Sequence, residues 1–390
     1  MALIDLWAAD GYLTTPRGQS VYFWGLSRGT ASPAQLPAPT LIVGQGEPVT
    51  VNLTNHLTEP VSLRFPGQSG VEALAPGSPH WEPARPQYDA GRLVSLVPSA
   101  GAGETVSYRF VPAAPGTFLY ESGTNPHIQV PMGLAGALIV RPQDFDPVTN
   151  RTAYGSNTGT AYDREYLLLT GEIDPDLHLA VSEGRSYDIR DHKPRFWTLN
   201  GRSSPDTMVP DHAAHLPHQP YGAMIRAEPG EKVLLRYVGG GLFGHPLHPH
   251  GNHARVVAWD GHLLQNGAEN LSHRRFTVLL GAGQTCDLIY EWTGLGYNPA
   301  QPIPTRIPDL RNLAVGDAGW TFWSGSAYLG RKGDLPLGVT PLNEAGEYHL
   351  MLHSHEEPEI TNWGEFPGGM MTMIAVYPPG TLGPTAGTIE

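Results

Sequence analysis

Residues 39–55 read Pro39-Thr40-Leu41-Ile42-Val43-Gly44-Gln45-Gly46-Glu47-Pro48-Val49-Thr50-Val51-Asn52-Leu53-Thr54-Asn55. Two short runs of alternating apolar and polar residues flank a glycine turn, which is a strand–turn–strand signal. Similar pieces follow at residues 94–97, 105–110 (Val106, Tyr108 and Phe110 on one face) and 116–120, and residues 135–140 read as a buried strand ended by Arg141-Pro142. A polar, turn-rich stretch to Tyr162 reads as a linker. A second series of strands is expected at residues 165–170, 232–238, 253–259, 275–280, 285–292, 347–353 and 371–377. No longer segment carries a helical period.

Composition agrees. Gly 47 and Pro 38 together make 85 of 390 residues, a balance that disfavours helix interiors. Many short strands between turns suggest two β-sandwiches, because 390 residues exceed one ordinary domain. The Pro-rich residues 295–337 read as an insertion loop of the second unit, where a substrate pocket would be built. The net charge of −13, without a basic cluster, argues against nucleic acid as a partner. No run of 18 apolar residues is present, so no membrane helix is expected. The first residues show no secretion signal. A removed leader would leave a periplasmic or secreted location open.

Cys286 is the one cysteine, which excludes an intrachain disulfide and any Cys-rich metal site. Two motif matches lack their context. Gly239-Gly240-Gly241-Leu242-Phe243-Gly244 fits a dinucleotide fingerprint, but Pro246 and histidines follow it instead of a helix. Gly25-Leu26-Ser27-Arg28-Gly29 fits a nucleophile elbow but precedes a Pro-containing loop. Three Asn-x-Ser/Thr sequons carry no weight without a secretion signal.

Histidine spacing is the strong signal. His245-Pro246-Leu247-His248-Pro249-His250-Gly251 contains one His-x-His pair, and His353-Ser354-His355 contains another. Residues i and i+2 of a strand share a face, roughly 6.5–7 Å apart, so two such pairs on neighbouring strands can enclose a metal ion. Imidazole suits copper, zinc, iron and nickel. His212, His215 and His218 precede a proline turn and read as a solvated loop.

These motifs resemble those of the multicopper oxidase family. Residues 245–251 are similar to its third histidine motif. His353-Ser354-His355 with Gly369-Met370-Met371 is similar to its C-terminal one. The resemblance extends through residues 39–55, 116–120, 129–140 and 199–202. It implies an all-β chain of two cupredoxin-like Greek-key β-sandwich domains, residues 1–145 and 163–390, joined by a linker at 146–162. Two-domain laccases and copper nitrite reductases are built this way.

The departures bear on the chemistry. Where the family places the type 1 copper thiolate, this chain has Ser354, and a hydroxyl cannot replace a soft thiolate. Glu359 stands where the motif's third histidine would fall. His245 resembles the surviving type 1 ligand, with ligation and a simple hydrogen bond both open. Met370 and Cys286 read as core residues. The first unit has Leu63-Arg64-Phe65-Pro66-Gly67 and Glu121-Ser122-Gly123 where the family has histidine motifs.

The resemblance therefore implies one copper ion, with zinc as a substitute, held by three or four of His248, His250, His353 and His355. His245 and Glu359 are further candidate ligands. Glu121, in a vacated ligand slot, is a candidate ligand or general base. Self-association as a homotrimer is expected, with a small molecule or metal ion as substrate. A copper oxidoreductase is the leading expectation, and a non-catalytic copper-binding protein is the alternative. A cupin reading of His353, His355 and Glu359 lacks the downstream histidine it needs.

Overall fold

The computed structural model describes residues 1–293, 348–383 and 389. The 295–337 loop lies outside the described residues, as does Glu347.

Four main sheets organise the chain. Ala2–Thr14 pairs antiparallel with Ser20–Ser27 and parallel with Val49–Asn55, and Thr105–Phe110, Glu72–Leu74 and Glu82–Pro83 extend this sheet to six strands. Along Val49–Asn55 the expected alternation holds, with Val49, Val51, Leu53 and Asn55 buried. Ala135–Arg141 is buried almost throughout, because it is the middle strand of a second sheet, between Gly116–Glu121 and Leu41–Gly44. One core, including Leu6, Val51, Phe65, Tyr108, Tyr120 and Leu138, joins these two sheets.

The second pair of sheets carries the histidines. Seven strands include Arg164–Ile173, Lys232–Gly239, Thr285–Glu291 and Ala254–Trp259. Facing them are five, in the order Ile225–Ala227, Met371–Val376, Tyr348–Ser354, His245–Pro249 and Val278–Leu280. Leu235, Tyr237, Val256 and Leu288 from one sheet meet Leu247, Val278, Leu352 and Ile374 from the other in a common core. Cys286 is buried in that core, as is Met370.

Two details differ from the sequence reading, and the 146–162 linker is packed against the second pair of sheets. Ala153, Tyr154 and Tyr162 are buried against Leu234, Val257 and Ile289, and the Tyr154 hydroxyl donates to Asp287 Oδ2 at 2.6 Å. Residues 275–280 do not form one strand, since His273–Arg275 and Val278–Leu280 belong to different sheets and break at Phe276-Thr277. His218 is not free in a solvated loop, because its ring packs on Phe23 and its Nδ1 donates to the Ala34 carbonyl at 2.6 Å. His212 and His215 are exposed as expected.

Candidate metal centre

Two antiparallel strands build the site as a ribbon. Leu247 pairs with Ser354, His248 with His353 and Pro249 with Leu352. Because side chains alternate, His245, Leu247 and Ser354 point into the core, while His248 and His353 share the outer face with His250.

On that outer face, one ring nitrogen from each of His248, His250 and His353 lies within 4.8 Å of the others. His250 Nε2 and His353 Nε2 are 3.0 Å apart. Two further bonds decide which nitrogens are available. His248 Nδ1 meets the Phe276 carbonyl at 2.6 Å, with Thr277 Oγ1 at 3.0 Å, and His353 Nδ1 meets the Ser354 carbonyl at 2.6 Å. A carbonyl only accepts, so each Nδ1 carries the proton and each Nε2 keeps its lone pair. The strand break at Phe276-Thr277 is what presents the carbonyl to His248.

Burial keeps these rings neutral. It lowers His250 to about 4, helped by its neighbours His353 and His248. Burial likewise lowers His248 and His353, against the carbonyl bonds that favour their charged forms. Neutral imidazoles are the form that binds metal. A metal–nitrogen bond of about 2.0–2.1 Å places two ligands on one ion roughly 3–3.5 Å apart. The 3.0 Å separation of His250 and His353 fits two corners of such a sphere, so the donor set suits one ion of the imidazole-preferring metals. His355 is exposed at the edge, its ring 5.1 Å from His248 and 5.6 Å from His353.

The other sequence candidates lie elsewhere. His245 and Glu359 are buried on the inner face against each other, with Nδ1 donating to Glu359 Oε1 at 2.9 Å. The Ser354 hydroxyl donates to the other Glu359 oxygen. His245 Nε2 faces Glu172 Oε2 at 3.5 Å, an ion-pair approach longer than a well-formed hydrogen bond. The series continues through His192, 3.9 Å from Glu172 and 3.3 Å from Asp174, and ends where the Tyr187 hydroxyl donates to Asp174 at 2.5 Å. Burial opposes charge on His245, but Glu172 and Glu359 outweigh it and raise it to about 9. Burial also opposes charge on His192, which Asp174 and Glu172 raise to about 9. Glu172 is held down to about 2 against its own burial, chiefly by His192 and His245.

The glycine run has its role here. Leu242 N–H donates to Glu172, and a Cβ on Gly241 would stand 1.9 Å from Glu172 Oε2. The motif cradles a side-chain carboxylate. Sequence spacing pointed to neither Glu172, His192 nor Asp174, because they come from separate turns and strand ends with no regular interval.

Glu121 is buried and its carboxylate is engaged by Arg64. Burial raises its pKa, and the guanidinium pulls against that shift. Within the chain it is not among the groups gathered at the histidines.

No family model matches the chain, and no curated protein matches it in sequence. Solved structures do match in fold. A blue copper oxidase from Nitrosomonas europaea is 20% identical with a TM-score of 0.60, covering 96% of this chain and 85% of its own. A copper nitrite reductase from the same organism is 18% identical with a TM-score of 0.58, covering 100% and 97%. The multicopper oxidase mgLAC, at 18% identity and a TM-score of 0.60, covers 98% and 87%. The chain has the cupredoxin-like fold of these copper proteins. On that fold, its cupredoxin-like second half carries the three histidines on the outside of one sheet and the imidazole–carboxylate series on the inside.

Proposed function

We infer that this cupredoxin-like protein is a copper-dependent oxidoreductase with a single copper ion on His248, His250 and His353 and no type 1 copper. The observation that carries the reading is the convergence of three neutral imidazoles, two of them with Nδ1 tied to carbonyls. His355 stands at the mouth as a fourth, optional ligand. Copper held there by His248, His250 and His353 would supply one-electron chemistry. Zinc would fit the same nitrogens without that chemistry.

The inner face supports a reading without a type 1 centre. Ser354 supplies a hydroxyl in place of the thiolate, and His245 Nδ1 is donating to Glu359. Electrons would therefore come directly from a bound small molecule or metal ion. The chain's two pairs of sheets support a division into residues 1–145 and 163–390.

Beside the site the exposed Phe276 ring lies 6.2 Å from that of His248, and the exposed Leu279 pairs with Pro246 on the strand of His248. Exposed apolar side chains near a metal site suit a homotrimer in which the next copy covers them. Glu121 could take part only in trans, from such a neighbour. Light scattering is expected to report a trimer, and a monomer at micromolar concentration would remove both the trimer and any role for Glu121.

The test is copper loading followed by elemental analysis, electron paramagnetic resonance and oxygen uptake with phenols, Fe(II), Mn(II) and nitrite. One copper per chain, without intense copper–thiolate colour, and uptake that His250→Ala abolishes would support the reading. Stoichiometric copper without turnover of any donor would leave a copper-binding protein. No stoichiometric copper would overturn both.

A further inference from the structure

The inner face of the ribbon lies directly behind the metal ligands, and one carboxylate joins its two strands there. Glu359 accepts from His245 Nδ1 at 2.9 Å and, through its other oxygen, from the Ser354 hydroxyl. His245 is on the strand of His248, and Ser354 adjoins His353, which pairs with His248 in the ladder.

The backbone ladder is thin at this point. Pro246 and Pro249 have no N–H to give, and only three residue pairs register between the strands. His355 N–H to the Pro246 carbonyl and His250 N–H to the Met351 carbonyl, both 2.8 Å, add one tie at each end. Hydrogen bonds to a carboxylate are roughly twice as strong as neutral ones. The Glu359 bridge therefore adds a charge-assisted tie between the two strands where the ladder is thin. It is backed in turn by Glu172 on the far side of His245, itself seated on Gly241.

We propose that Glu359, backed by Glu172, is a positioning residue for the copper site, clamping the ribbon from the inner face so that His248 and His353 keep their register and ring orientation. The inference rests on the copper reading of the outer face, but its first measurement needs no copper.

In the metal-free protein, nitrogen NMR of the imidazoles reads the tautomers of His248 and His353. Wild type is expected to show Nδ1–H at both, as the carbonyl bonds require. Glu359→Ala should mix the tautomers at His353 while far-ultraviolet circular dichroism stays native. Copper affinity should then fall by about tenfold, with altered copper hyperfine splitting. That is the lower end of what losing a direct partner of a ligand causes, because Glu359 acts on the ligands through Ser354 and His245. Glu359→Gln, whose Oε1 can accept from His245 while its amide N–H donates to the Ser354 hydroxyl oxygen, should restore most of each signal.

A folded Glu359→Ala with unchanged tautomers and copper affinity within about twofold would overturn the proposal. If that variant does not fold, Ser354→Ala decides. It removes one arm of the clamp and leaves the His245–Glu359 pair, so unaltered His353 tautomer and affinity would equally overturn it. Wild type with ordered tautomers but no copper binding would sink the copper reading, and the clamp would still be judged on the tautomers.

Discussion

His248 and His353 stand opposite each other across the antiparallel ribbon, and each donates its Nδ1–H to a main-chain carbonyl. Main chain is harder to displace than a side chain, so both Nε2 lone pairs are already oriented, that of His353 toward His250. His250 completes the set through Nε2, and His355 does not share that tight spacing.

The histidines should therefore differ in a copper titration. His250→Ala and His353→Ala are expected to abolish stoichiometric copper after dialysis, whereas His355→Ala should keep it with a loss below about tenfold. Elemental analysis of the dialysed variants reads the difference. Equal losses in all three would make His355 a full ligand.

The stability of the metal-free protein should peak near pH 6.5. His245 and His192, raised to about 9, contribute fully below their ordinary 6.5, and this contribution fades as pH rises toward 9. Burial lowers His178 and His250 to about 4, so their contribution is complete above 6.5 and fades as pH falls toward 4. Calorimetric Tm should decline on both sides. A Tm that climbs from pH ~6.5 to ~9 would contradict the assignment of His245 and His192 as the charged pair.

Gly241→Ala tests the carboxylate cradle. The new methyl would meet Glu172 Oε2 at 1.9 Å, and pushing that carboxylate off His245 separates buried charges. A loss of about 3–5 kcal/mol is expected in denaturant unfolding. Gly230→Ala, at an open turn with positive φ, should cost only about 1 kcal/mol and serves as the control.

Cys286 should be inert in the folded protein. It is buried, and burial followed by the Asp287 charge pushes its thiol well up. An aromatic disulfide reagent is expected to leave it untouched until denaturant is added, and then to titrate one thiol per chain. Fast reaction in native buffer would place this thiol outside the core.

The outer face was legible because strand geometry forces i and i+2 onto one side. Spacing alone paired His248 with His250 and His353 with His355, and the structure gathers the first three of these rings. Residues 49–55 were legible for the same reason, as every second side chain is buried. The inner face was legible only as the separate residues His245 and Glu359, not as their contact. His245 meets Glu359 across 114 positions, and Glu172, His192 and Asp174 arrive from elements whose placement is set by tertiary packing. The break at Phe276-Thr277 was hidden too, because 275–280 is apolar enough to read as one strand. The glycine run was visible as a motif, but its ligand is a carboxylate from a distant strand, which no local pattern announces.

The joining of Ser354 and His245 through Glu359 also bears on how this sequence can change. A step toward a thiolate copper site at Ser354 alone would press a buried sulfur against a carboxylate already engaged by an imidazolium. A step at Glu359 alone would leave His245 held by one carboxylate where two now balance it. Each single replacement is penalised before the set is complete, so the present arrangement resists conversion into a thiolate copper centre one residue at a time.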